Sequence, residues 1–294
     1  MYPTLFISHG APNIILGNSK SKKSIEKLGK KLPIPKYIII VSAHYVTRNL
    51  KVINPSANKI MYDFYGFEDE LYKVQYEIKS EEFATFDIVE KLKAQNIDIS
   101  IDESRQSYDH GVWNVLSMLY KNLQIPVIQL SLPISYSVEE LVNLGEKLKQ
   151  FKDEAMIICS GGITHNLGGM SFSNEIKKYA FDFNEKVKKI IENGEELKIL
   201  DLVNDENFYK NHPSAEHFLP LYVAFGSSFD KKGKSINSEF QYGNIQGIHK
   251  RLSGIGQIFP AAGRDREPAL CGCSVPLYAV RAFPGRLYQW RYLL

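Results

Sequence analysis

Four short apolar runs constrain the fold of this chain more than any other feature. They are TLFI at 4–7, YIIIVSA at 37–43, IPVIQLSL at 125–132 and AMIICSGG at 155–162. Each is continuous rather than alternating, which is the pattern of a strand covered on both faces. Between them, residues 85–95, 112–122 and 173–192 carry apolar positions three and four apart, the period of a helix. Ser137-Val-Glu-Glu reads as a capping box opening a helix that runs to about Phe151. HPSAEHFLPLYVAFG predicts a further helix from near Pro213 to Gly226, because proline suits a first helical turn. Strands alternating with helices make an α/β fold, and in such sheets ligands gather beyond the carboxyl ends of the strands.

Composition narrows the class further. The chain has 294 residues, 44% of them hydrophobic and 23% charged, enough for a substantial core in one large domain or two small ones. A formal net charge of +3 with no basic block gives no case for nucleic acid. The lysine-rich stretch at 20–31 is interleaved with apolar positions, as on the solvated face of a surface helix. No apolar run approaches membrane-spanning length, and the first residues lack the pattern of a signal peptide, so no membrane partner is expected. Three cysteines, two of them in Cys271-Gly-Cys273, form no disulfide framework or usual zinc spacing, and a reducing, cytoplasmic setting is expected.

Six of the seven histidines lie beside glycines, prolines or strand ends: His9, His44, His110, His165, His212 and His217. Histidine titrates near neutrality and is the commonest metal ligand. His9 and His44 each follow a predicted strand by one or two residues, beside the small Gly10 and Ala43, and form the strongest candidate pair of metal ligands. His217 is favoured over His212 as a third, since His212 precedes the predicted helix and reads equally as a loop residue. His165, after Gly161-Gly162, and His110, between Asp109 and Gly111, each suit a metal ligand, a general base or a substrate contact. Three protein ligands with open positions make a catalytic site, whereas four closed ligands make a structural one. YDFYGFEDELY at 62–72 either packs Phe64, Tyr65 and Phe67 into the core or walls a flat aromatic substrate, with Tyr65 its candidate contact. There is no GxSxG elbow, GxGxxG or Walker A loop.

In their order, ISHGAP, VSAHY, YDFYGFEDELY, DHGVWNVL, IPVIQLSL, SGGITHNLG and HPSAEHFLPL resemble the DODA-type extradiol aromatic ring-opening dioxygenases of the class III, LigB-like superfamily. The resemblance covers about residues 1–245. It implies a single α/β domain with a central, largely buried mixed sheet flanked by helices. It also implies cleavage by O2 of a catecholic, 4,5-DOPA-like ring beside its hydroxyls, at Fe(II), although members also occur with zinc bound. His9, His44 and His217 match the ligand positions, with His217 standing where the LigB branch has a glutamate. His165 matches a position close to the metal, as fourth ligand or acid/base, and His110 one that contacts substrate or oxygen. Substrate contacts are also expected from Tyr65 and His212, and a homo-oligomer is compatible with the family. Two readings compete: a zinc-dependent hydrolase using metal-activated water, and a non-enzymatic binding protein on the same fold.

The end of the chain differs. Residues 1–250 hold 28 lysines and two arginines, whereas 251–294 hold six arginines and no lysine or asparagine. We expect a catalytic domain at 1–250 and a foreign or frame-shifted tail at 251–294, joined near 246–250, with a natural lineage-specific tail as the alternative. Loss of the family's last strand would leave a sheet edge unpaired.

Overall fold

The computed structural model describes residues 1–171 and 175–252. Ten strands form: β1 (Thr4–Ser8), β2 (Tyr37–Thr47), β3 (Lys51–Ile53), β4 (Lys59–Ile60), β5 (Ser100–Asp102), β6 (Ser107–Tyr108), β7 (Val127–Pro133), β8 (Ala155–Gly161), β9 (Gly233–Gln241) and β10 (Ile245–Leu252). The helices are α1 (Lys20–Gly29), α2 (Glu82–Lys93), α3 (His110–Leu119), α4 (Val138–Leu148), α5 (Lys178–Asn193), α6 (Glu196–Leu200), α7 (Phe208–Asn211) and α8 (Pro220–Gly226). Eight strands make one mixed sheet in the order β5-β3-β7-β2-β8-β1-β10-β9, and β4 pairs with β6 apart from it. The four apolar runs are its centre, where β7, β2, β8 and β1 lie parallel. Every residue of β1, β7 and β8 is buried, as continuous apolar runs require.

The helices follow their sequence signals with instructive exceptions. Ser137 accepts the Glu140 N–H while Glu140 bonds back to the Ser137 N–H, completing the expected capping box. α1 buries Ile25 and Leu28 and turns its lysines outward, and Ser19 caps it by accepting the Lys22 N–H. α4 and α8 cross with backbones almost touching, since a Cβ on Gly226 would lie 2.0 Å from the Val142 carbonyl oxygen. The helix expected from Pro213 starts instead at Pro220, leaving residues 213–219 in bends and turns. The His217 carbonyl accepts the Gly162 N–H at 2.7 Å, which ties this segment to the end of β8.

β10 runs through the expected join at 246–250 and pairs with both β1 and β9, so β1 is not an edge. The arginine-rich tail, from residue 253 onward, lies outside the described residues. Among the described residues no helix is long and apolar enough to cross a membrane.

Candidate metal centre

β8 pairs with β1 on one side and β2 on the other, with Ser8 opposite Gly161 and Ser42 opposite Ser160. The carboxyl ends of the three strands therefore release their chains at one spot. His9 follows β1 at once, and Gly10 turns the chain away with φ +65°. β2 is longer than expected, so His44 lies inside it, where the ladder to β7 breaks register between Val41 and Val46. Such irregularities re-aim a side chain. His110 is the first residue of α3, which stands close over β2: a Cβ on Gly111 would meet Ser42 Oγ at 2.4 Å. His217 is delivered by the irregular segment pinned to Gly162.

Five of the six singled-out histidines converge. Ring centroids lie 4.8 Å apart for His9–His44, 4.0 Å for His44–His110, 4.9 Å for His44–His217 and 5.3 Å for both His9–His110 and His9–His217. His165 stacks on His217 at 3.5 Å with its plane tilted by 7°. The ligand nitrogens of His9, His44 and His110 all fall within 4.8 Å of one another, a group able to hold a metal ion. His110, read from sequence as a substrate contact, thus stands as near the centre as the expected ligands. The histidines open on a cavity of about 220 Å³, whose other walls include Phe67, Leu167, Met170 and Tyr242.

Two expected contacts do not reach it. His212 is fully buried, with Nε2 bonded to the Ile163 carbonyl at 2.7 Å and its ring packed among Phe183, Phe208 and Phe218. It does not line the cavity and acts as a packing residue. Tyr65 is 49% exposed and does not line the cavity, while Phe67, two residues on, does.

The buried imidazoles are held neutral. Burial first, then neighbouring histidines, lowers His9 and His217 well below the usual range and brings His165 down to about 3. Burial and His110 bring His44 to about 4, against the opposing pull of Asp63. A neutral ring is the form that binds metal. Hydrogen bonds then identify which nitrogen is free. Ser160 Oγ donates its single proton to the Gly111 carbonyl at 2.6 Å, so at 2.9 Å it can only accept from His9 Nδ1. His9 therefore carries its proton on Nδ1 and turns a lone pair on Nε2 toward His44 Nε2, 3.0 Å away. His217 Nδ1 lies 3.0 Å from Glu216 Oε1, and its buried Nε2 has no hydrogen-bond partner among the described residues. Unprotonated, inward-facing imidazole nitrogens with their outer nitrogens occupied fit a bound divalent cation.

Acidic residues that sequence reasoning passed over support this ring. Asp63, within the aromatic segment, accepts the His110 backbone N–H at 2.8 Å, and its other oxygen lies 3.0 Å from His110 Nδ1 and 3.5 Å from His44 Nδ1. Glu216 also accepts from Ser214 at 2.9 Å, and burial raises its carboxyl above the ordinary range. Behind the site, the fully buried Asp109 accepts from Ser42, Gln129 and Arg105 at 2.6, 2.6 and 2.8 Å. Adjacency to His110 and His217 was the available signal for Asp109 and Glu216; nothing local marked Asp63.

A cluster of histidines at strand ends, able to hold a metal ion and opening on a cavity with aromatic walls, marks the site of an α/β enzyme. Residues 3–252 match the family described as the catalytic LigB subunit of aromatic ring-opening dioxygenase, and the chain belongs to that family. Among its relatives, a 4,5-DOPA dioxygenase extradiol of Escherichia coli (strain K12) is 32% identical over 76% of this chain and 84% of its own. A 4,5-DOPA dioxygenase extradiol of Beta vulgaris is also 32% identical, over 82% and 92%. The crystal structure of an uncharacterised Escherichia coli K12 protein superposes with a TM-score of 0.73 at 26% identity, covering 86% of this chain and all of that one.

Proposed function

We propose that this chain is an extradiol dioxygenase that opens a catechol-type ring, of the 4,5-DOPA kind, with O2 at one non-haem divalent metal. The observation that carries the reading is the convergence of His9, His44, His110, His165 and His217 on one cavity walled also by Phe67, Leu167 and Met170. His9, His44 and His217 would hold the metal, and His165 would serve as a fourth ligand or as the base. His110 would face substrate or oxygen from beside His44. When bound, Fe(II) supplies a redox-active site that moves electron density from a catecholate to O2, whereas zinc, with no accessible second oxidation state, supplies only a Lewis acid.

The side chains have their own work. A neutral His165 ring offers a nitrogen to a catechol hydroxyl; burial keeps that nitrogen unprotonated at pH 7 and also makes it a weak base. Phe67, Leu167 and Met170 hold the ring plane and exclude water. The test is oxygen uptake by Fe(II)-reconstituted protein with L-DOPA, protocatechuate and plain catechol. Iron-dependent uptake with a yellow ring-opened product is expected; no uptake with any of the three overturns the proposal.

A further inference from the structure

We propose that Asp63 is a positioning residue that sets one tautomer in two histidines of the centre at once, His110 and His44. The inference rests on the metal-centre part of the reading above, and not on which ring is cleaved. Asp63 is held by anchored neighbours on both sides. The Met61 N–H donates to the Tyr108 carbonyl at 2.8 Å, and the Met61 carbonyl accepts Trp113 Nε1–H at 2.9 Å. Phe64, next after Asp63, is buried against Trp113 and Leu71. The carboxylate between these anchors spends one oxygen on the His110 backbone N–H at 2.8 Å. Its second oxygen faces His110 Nδ1 at 3.0 Å and His44 Nδ1 at 3.5 Å.

An ionised carboxylate only accepts hydrogen bonds. It therefore holds His110 in the Nδ1–H form through the 3.0 Å bond, and its charge 3.5 Å from His44 Nδ1, beyond a hydrogen bond, draws the His44 proton to the same side, leaving both Nε2 atoms unprotonated. Those atoms face inward, with His44 Nε2 3.0 Å from His9 Nε2. Without Asp63, His44 could donate from Nε2 to the His9 lone pair, and the two nitrogens would satisfy each other rather than a cation. One carboxylate thus keeps a ligand pair from closing on itself and presents the His110 lone pair to whatever occupies the centre.

The test uses the full chain with ¹⁵N-labelled histidine and needs no catalysis. In metal-free wild-type protein, NMR nitrogen shifts are expected to show both His110 and His44 protonated at Nδ1. In Asp63→Asn, the amide oxygen stays on the backbone N–H and the amide nitrogen, a donor, faces the ring. His110 is then expected to move its proton to Nε2, and affinity for Zn(II) alone, by chelator competition, to fall about 10- to 100-fold. A wild-type His110 or His44 protonated at Nε2 overturns the proposal, a result that stands even if the variant does not fold. So does an Asp63→Asn protein that loses thermal stability while keeping both the tautomer and its zinc affinity. Absence of oxygen uptake would overturn the dioxygenase reading and leave the tautomer result intact.

Discussion

Gly161→Ala is the substitution that most directly separates the backbone clamp from the ligand set. A methyl carbon at Gly161 would lie 2.2 Å from the His217 carbonyl oxygen and 3.3 Å from its carbon. An unstrained C···O contact is roughly 3.3 Å, so the His217 backbone must retreat by about 1 Å or β8 must bend. Neither is easy, because β8 is buried and paired on both sides, and the same carbonyl accepts the Gly162 N–H. Overpacking of this kind costs about 1–3 kcal/mol, which in a domain of this size lowers Tm by about 2–12 °C. A ligand displaced by about 1 Å also costs roughly 100-fold in rate, so Zn(II) affinity and turnover should fall together. Gly162→Ala is the control, since its nearest neighbour would be the Thr164 carbonyl oxygen at 3.6 Å, an ordinary contact. The assay is thermal unfolding with chelator-competition titration of Zn(II) on both variants. A Gly161→Ala protein that matches Gly162→Ala in Tm and zinc affinity would refute the idea that close approach at Gly161 places His217.

Two further outcomes follow from the walls and the core. Phe67→Ala should raise KM for a catechol about 10-fold, the worth of one aromatic contact, while Tyr65→Ala should change it less than twofold; equal effects would contradict the assignment of Phe67 as the wall. Lys152 is buried, with its ammonium donating to Thr4 Oγ1 at 3.1 Å and the Ser227 carbonyl at 3.0 Å, and burial lowers its pKa to about 8. The unfolded chain, with a lysine pKa near ~10.4, binds more protons between those values, so folding stability should rise from pH 8 to about 10.4, by about 3 kcal/mol in total. Denaturant midpoints should show that rise in the wild type and lose it in Lys152→Met; a rise that persists in the variant would assign it to another group.

The central sheet was legible because fully buried parallel strands need continuous apolar runs, and four such runs are present. β9, with the polar sequence GKSINSEFQ, was not, since its pairing with β10 rather than its own pattern makes it a strand. His9, His44, His110, His165 and His217 were legible as a set because strand ends and turn glycines mark the places where α/β sheets bind ligands. His212 shared that punctuation, and only the distant Phe183, Phe208 and Phe218 decide that its ring faces the core. The start of α8 was misplaced: Pro213 suits a first turn, but so does Pro220, and the Gly162 N–H bond to the His217 carbonyl ties down the non-helical residues between them. Tyr65 and Phe67 differ by one turn of a loop, and composition cannot say which aromatic faces inward.

On the proposed ligand set, His217 stands where the LigB resemblance supplies a negative ligand, and His9, His44 and His217 are three neutral imidazoles. The structure does not leave that charge out; it places it one bond further away. Glu216 Oε1 accepts from His217 Nδ1 at 3.0 Å, and Asp63 accepts from His110 and borders His44. A carboxyl on the outer nitrogen makes an imidazole a stronger donor and fixes its direction. It would do so without itself taking a coordination position. The serine at 160 gives His9 an uncharged partner instead. His9 should therefore be the weakest donor of the set, and the side of the centre nearest His217 and His110 the most electron-rich. Asp63 lies outside the cavity walls whereas Glu216 is one of them, so a ligand in the cavity meets neutral nitrogen with a single carboxyl beside His217.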